Sequence, residues 1–201
     1  AWTLVGNLPT PVSEAQAIVF NNNVYLIGGR NANGFISTVF SCPINENGDL
    51  GEWGIHSTLP FPVAFAQATL TSNRLYLLGG ENDTGNLNTV LYTEINEDGS
   101  SFLENWEEGP TLPVNLTRSC VVLTNNRVHL LGGMTTTTAI VNTYNAPIDS
   151  DGVIGDWVSG PNLTTAIHSG QAILSKNVIY FIAASTLRLA LDASGMIASQ
   201  S

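Results

Sequence analysis

An all-β fold of four repeated antiparallel sheets is what this 201-residue sequence predicts, and three observations carry the prediction. Tryptophans stand at Trp2, Trp53, Trp106 and Trp157, separated by 51, 53 and 51 positions. Pairs of small residues, Gly28-Gly29, Gly79-Gly80, Gly132-Gly133 and Ala183-Ala184, each begin 26 positions after the preceding tryptophan. The turn dipeptides Asn47-Gly48, Asp98-Gly99, Asp151-Gly152 and Ser194-Gly195 follow each pair. Several registers locked together over four copies mark a repeat architecture, with units near 1–52, 53–105, 106–156 and 157–201 inside one domain spanning 1–201.

Within a unit the elements follow in order. The second copy reads AFAQATL, RLYLLGG, TVLYTEI and ENWEEGP, four short apolar or alternating runs bounded by turn residues, and no stretch keeps a 3.6-residue period over helix length. The first two strands are joined through Asn73, whose counterparts are Asn22, Asn126 and Asn177; asparagine tolerates the left-handed backbone of a tight hairpin. Asn-Gly and Asp-Gly join the third and fourth strands, which points to type I′ turns with positive φ at both central positions. The first two strands, as in QAIVF and VYLIGG, are apolar almost without alternation, so both sheet faces are expected to be buried.

A four-stranded sheet that recurs about every 50 residues and is covered on both faces by its neighbours describes the blade of a β-propeller. The apolar strand ending in a double glycine, the spaced tyrosine and tryptophan, and the passages INENGDLGEW and IDSDGVIGDW resemble the kelch repeat, closest in kind to galactose-oxidase-like, bacterial or viral kelch units. The resemblance covers essentially the whole chain. Two features complicate the count of blades. From the small pair to the next tryptophan the gap is 24, 26 and 24 positions, whereas after Ala184 only 16 positions lead to Gln200, where a tryptophan would fall. The chain also opens on an orphan outer strand, AWTLVGNLP. The expectation is therefore a four-bladed propeller in which residues 1–9 complete the last blade, since closure removes exposed strand edges. The alternative is a slice of a larger propeller of about six or seven blades, the size the resemblance implies.

Composition excludes several function classes. Six basic against 16 acidic residues give a net charge of −10, which repels phosphate backbones and anionic surfaces, so no nucleic-acid partner is expected. Apolar runs stay far below the roughly 20 residues that span a bilayer, and no charged segment leads into an apolar targeting stretch. Cys42 and Cys120 occupy non-equivalent positions and are read as buried thiols.

Chemistry is sparse. A phosphate-binding glycine loop must lead into a helix N-terminus, but here each pair is followed by polar residues such as RNANG and ENDTGN. The pair is read instead as a point of close backbone approach near the axis. The acidic hairpins lack the full spacing of a calcium loop, and turn chemistry explains them; no metal and no cofactor is expected. His56, His129 and His168 are widely separated, with His129 in place of a blade tyrosine and read as a core substitution. Copper chemistry needs converging tyrosines and histidines, and a carboxylate site needs an arginine cluster; Arg74 and Arg127 share a rim position without completing one.

Loops that vary between copies while the strands do not are where a scaffold carries a site. The candidate ligand-binding face comprises Arg30, Asn31, Phe35, Phe65, Glu81, Asn82, Asp83, Arg118, Met134 and His168. The expected function is a non-catalytic binding, adhesion or structural module that recognises glycan or protein, alone or as a subunit of a larger assembly. Acidity and a single lysine point to a secreted, cell-surface or virion setting. The alternative, implied by resemblance to propeller enzymes, is a carbohydrate-active oxidase or sialic-acid-processing enzyme.

Overall fold

The computed structural model describes residues 3–95, 103–124, 126–183 and 185–198. Trp2, the Asp98-Gly99 hairpin, Ala184 and Gln200 lie outside these residues. All regular structure among the described residues is β. Blade 1 orders its strands Gln16–Phe20, Asn23–Ile27, Thr38–Pro43 and Gly54–Thr58 side by side in sequence order. Blade 2 repeats this with Gln67–Leu70, Arg74–Leu78, Val90–Glu94 and Glu107–Glu108, and blade 3 with Cys120–Leu123, Arg127–Leu131, Thr143–Pro147 and Val158–Ser159. Blade 4 has three strands, Gln171–Ser175, Val178–Ile182 and Thr186–Ala190. Every pairing is antiparallel.

The hydrophobic cores lie between blades, because each sheet is apolar on both faces and finds its cover in its neighbours. Tyr25, Ile27 and Val39 of blade 1 meet Leu59, Leu75 and Leu77 of blade 2. On the opposite face of blade 2, Tyr76 and Leu78 meet Val128 and Leu130 of blade 3. Leu131 and Cys120 of blade 3 meet Ile179 and Phe181 of blade 4. Strand Arg74–Leu78 therefore buries four consecutive side chains, Leu75 to Leu78, at 2% exposure or less. The outer faces of the end blades are covered in part: Val19 stands exposed on blade 1 although Phe40 and Cys42 on the same face are buried, and Ile173 and Ile182 stand exposed on blade 4. The expectation of two buried faces thus holds in full for the middle blades.

Expected closure by residues 1–9 is not realised among the described residues. Residues 3 to 8 carry no strand, Leu4 and Val5 are exposed, and Thr186–Ala190 is an edge without a fourth strand. The missing length of the fourth unit comes from elsewhere. In blades 1 to 3 a two-stranded ribbon follows the small pair, at Arg30–Phe35, Glu81–Asn86 and Met134–Ala139. In blade 4 the second strand ends at Ile182 and the third begins at Thr186, and Ala183 N–H donates to Ser185 O at 3.0 Å.

Hairpin chemistry departs from the expectation in one respect. Gly48, Gly152 and Gly195 adopt positive φ, while Asn47, Asp151 and Ser194 do not. Gly48 N–H donates to Asn45 O while Asn45 N–H donates to Asp49 O, which is a type I turn followed by a left-handed glycine bulge rather than a type I′ turn. Among the first hairpins, Asn22 is left-handed at φ 55°, but in blade 4 the left-handed residue is Lys176, and Asn73 sits in a longer loop closed from Thr71 to Arg74.

Candidate functional site

The glycine pairs are settled by their surroundings. Gly29, Gly80 and Gly133 each donate from N–H to a carbonyl of the next blade, Val63, Leu116 and Ile167, at 2.8, 2.9 and 2.8 Å. A Cβ on Gly28, Gly79 or Gly132 would collide with that same carbonyl oxygen, and φ there is +61°, +62° and +57°. The pair is a backbone seam between blades, which leaves no room for a ligand.

The segments that supply those carbonyls also build one face of the array. Glu14, Phe65, Arg118 and Ser169 occupy equivalent positions and share a left-handed φ of 57°, 56°, 54° and 55°. This conformation turns each backbone toward its neighbour. Phe65 N–H donates to Glu14 O, Arg118 N–H to Phe65 O, and Ser169 N–H to Arg118 O, at 3.0, 3.1 and 2.9 Å, a relay running from blade to blade. Four left-handed non-glycine residues are unfavourable in isolation, and the relay holds them. Behind them the four inner strands line an axial cavity of roughly 600 Å³, and its mouth, about 290 Å³, is ringed by Glu14, Gln16, Phe65, Gln67, Arg118 and Gln171.

Sequence reasoning singled out Phe65 and Arg118 but missed Glu14, Gln16, Gln67, Ser169 and Gln171. The signal was present, because glutamine recurs 14 positions after Trp2, Trp53 and Trp157, with Cys120 as the fourth copy. Cys120 is no nucleophile there: its thiol donates to Gly170 O at 2.8 Å, and burial pushes it up to about 12.

The ribbons stand beside this mouth, each tied to the loop of its own blade by backbone pairs Ser13 with Arg30, Ala64 with Glu81 and Thr117 with Met134. They bring together three of the candidate residues around a fourth. The Arg118 guanidinium lies 3.7 Å from the centre of the Phe65 ring, its Nη1 is 3.3 Å from Glu81 Oε2, and the same nitrogen is 3.9 Å from Met134 Sδ. Cation–π stacking of this kind is worth roughly 0.5–2 kcal/mol, more as water is removed. Arg118 and Glu81 retain 24% and 19% of their side-chain exposure, so the cluster is held yet reachable.

Other candidates fall apart from it. Arg30 covers Phe35 at 5.6 Å on its own ribbon. Asn31 and Asn82 turn inward, accepting from Asn33 N–H at 2.8 Å and Thr84 N–H at 2.9 Å, which fixes the ribbon tips. Asp83 sits exposed at one of those tips. His168 is exposed where blade 4 lacks a ribbon, with Nδ1 2.9 Å from Ser169 Oγ. The rim arginines are occupied: Arg74 pairs with Glu94 at 2.7 Å and Arg127 donates twice to Asn145 Oδ1. Among the described residues no three His, Cys, Asp or Glu side chains gather as a metal site would require, and no helix is long and apolar enough to cross a membrane.

No family model matches the chain. It is 24% identical over 187 residues to Beta-scruin of Limulus polyphemus, covering 90% of this chain and 20% of that protein. It is 25% identical to human Kelch-like protein 23 over 88% of this chain and 29% of that protein, and 26% identical to Kelch-like protein terF of Aspergillus terreus over 75% and 33%. The chain thus spans a fifth to a third of the curated relatives it matches. The solved structure of YjhT superimposes with a TM-score of 0.72 at 15% identity, over 90% of this chain and 61% of that one. Repeat, fold and relatives agree on a kelch-type β-propeller array.

Proposed function

We propose that this kelch-type array is a protein-binding module, and that its contact surface is the mouth-and-ribbon face centred on Arg118. The observation that carries the reading is the stack of Arg118 on Phe65, flanked by Glu81 and Met134, at the rim of a concavity. Arginine, aromatic residues and methionine are the side chains enriched at the buried centres of protein interfaces. The Phe65–Arg118 relay has already fixed their backbones, so little order remains to be gained on binding. The raised thiol of Cys120 and the inward-turned asparagines favour recognition over catalysis or a sugar-binding comb of amides. Acidity and the single lysine support a secreted, cell-surface or virion setting.

The test is selection of a displayed protein and peptide library on the folded chain, run in parallel with a glycan array. Ligands that lose at least about tenfold in affinity for both Arg118→Ala and Phe65→Ala, at unchanged melting temperature, support the reading; that loss is roughly 1.4 kcal/mol, typical of a hot spot. Ligands indifferent to both variants, or binding confined to glycans, overturn it.

A further inference from the structure

The seam between blades 2 and 3 is locked by a tyrosine hydroxyl. In blade 3, Ile154 faces Ile148 across their hairpin as a non-hydrogen-bonded pair, which leaves the Ile154 N–H free of the ladder. It donates to Tyr76 Oη at 3.1 Å, and that hydroxyl donates in turn to Gly152 O at 3.1 Å. Thr71 Oγ1 reaches the same carbonyl at 2.9 Å.

The repeat register brings His129, Gly195 and Ile197 to the corresponding places at the seam between blades 3 and 4. Ile197 faces Leu191 in the same non-hydrogen-bonded way, so its N–H is likewise free of the ladder. An imidazole ends well short of where a phenol carries its hydroxyl. His129 is fully buried, and both of its ring nitrogens are without a hydrogen bond. Among the described residues none hydrogen-bonds to Ile197 N–H or Gly195 O, although the Gly195 backbone lies beside the ring. Thr124 Oγ1, the counterpart of Thr71 Oγ1, donates only to Arg127 O, at 3.1 Å.

The turn is also seated less closely here. A Cβ on Gly152 would meet Thr71 Oγ1 at 2.5 Å and Ser72 Oγ at 2.9 Å, whereas one on Gly195 would meet Asn126 Oδ1 at 2.9 Å and Thr124 Oγ1 at 3.5 Å. A cavity of about 330 Å³ lined by Thr124, Asn126, Asp192, Ser194 and Gly195 runs up to the glycine, while its counterpart between blades 2 and 3 stops at Asp149 and Ser150.

We propose that the seam between blades 3 and 4 binds a buried water molecule in the role of the tyrosine hydroxyl, accepting from Ile197 N–H and donating to Gly195 O and to one ring nitrogen of His129. Buried waters typically make about three hydrogen bonds to groups that the protein leaves unpaired, and three such groups converge here. Water fits because one oxygen both accepts and donates, as the hydroxyl does, with a second proton to spare for the imidazole. A cation is unsuited, since the Ile197 N–H presents its positive end, and an anion is unsuited beside the Gly195 carbonyl. The cavity at the glycine supplies the route by which the water enters.

Magnetic relaxation dispersion of water oxygen counts long-lived buried waters in the folded chain. His129→Tyr is expected to lower that count by one, because the introduced hydroxyl takes the water's place. Tyr76→His, which recreates the short side chain between blades 2 and 3, is expected to raise it by one. An unchanged count in both folded variants overturns the proposal. A high-resolution crystal structure of the wild-type chain decides the same point without substitution: the expected oxygen lies within about 3.2 Å of Ile197 N, Gly195 O and one ring nitrogen. A dry seam, or a ring nitrogen bonded directly to Gly195 O, overturns it.

Discussion

His129 shows how much a single position can owe to its copies. It stands where Tyr25, Tyr76 and Tyr180 stand in the other blades, fully buried, and neither ring nitrogen makes a hydrogen bond of good geometry. Burial, helped by the charge of Arg127, lowers it from 6.5 to about 4, while the nearby Gly195 backbone opposes the shift only partly. The folded protein therefore prefers the neutral ring, and the unfolded chain takes up the proton first as pH falls. Stability is unaffected above about 6.5 and declines by at most ~1.4 kcal/mol per pH unit toward 4, about 3 kcal/mol in all. Urea denaturation across that range is expected to show the slope in wild type and a shallower one in His129→Tyr, whose hydroxyl would reach the Gly195 hairpin as Tyr76 reaches Gly152. Equal slopes would place the acid sensitivity elsewhere. The core placement of His129 was legible from the repeat register; its unmet nitrogens were not, because they depend on what the next blade presents.

The glycine seam makes the same point with a sharper sign. Gly79→Ala forces a Cβ into the Leu116 carbonyl at a left-handed φ, and should cost more than about 3 kcal/mol. Ala183→Gly, at the copy that already carries a Cβ, should change stability by less than about 1 kcal/mol. Comparable losses in both would show that small size alone, and not the seam, is what the position needs.

At the scale of the element, the hairpin between third and fourth strands is held from outside its own sheet. Tyr76 Oη donates to Gly152 O and accepts from Ile154 N–H, both at 3.1 Å, and Thr71 Oγ1 donates to the same carbonyl at 2.9 Å. Blade 2 thus grips the turn of blade 3. Tyr76→Phe strands a buried carbonyl and amide and is expected to cost about 1–3 kcal/mol by chemical denaturation. Tyr180→Phe, on the uncovered face of blade 4, should cost less than about 0.5 kcal/mol; a matching loss there would mean that its hydroxyl grips a partner as well. Strand order and turn positions were legible because period and Asx-Gly dipeptides act locally. The ribbons at Arg30–Phe35, Glu81–Asn86 and Met134–Ala139 were not, since each is only a few residues of polar loop until its blade pairs it. Arg118 and Phe65 were picked out as variable loop residues, but their stacking follows from a backbone relay that no local pattern announces.

At the scale of the molecule, each blade touches only its neighbours, so stability is close to a sum over blades and seams. Among the described residues blades 2 and 3 have two seams each, whereas blades 1 and 4 have one, and Val19, Ile173 and Ile182 stand exposed on the outer faces of blades 1 and 4. The propeller fold was legible in the fourfold register, which fixes what each unit contains, whereas the angle between units is set by packing at the seams and has no local signature. Local opening should therefore begin at the ends. Amide exchange of Leu75–Leu78 and Val128–Leu131 is expected to be slower by at least about tenfold than that of Asn23–Ile27 and Val178–Ile182 at low protein concentration. Uniform protection of all four strands under those conditions would mean that the array unfolds as a single unit, contrary to nearest-neighbour coupling. The middle strands serve as the internal reference, because the residues that cover both of their faces come from within the described chain.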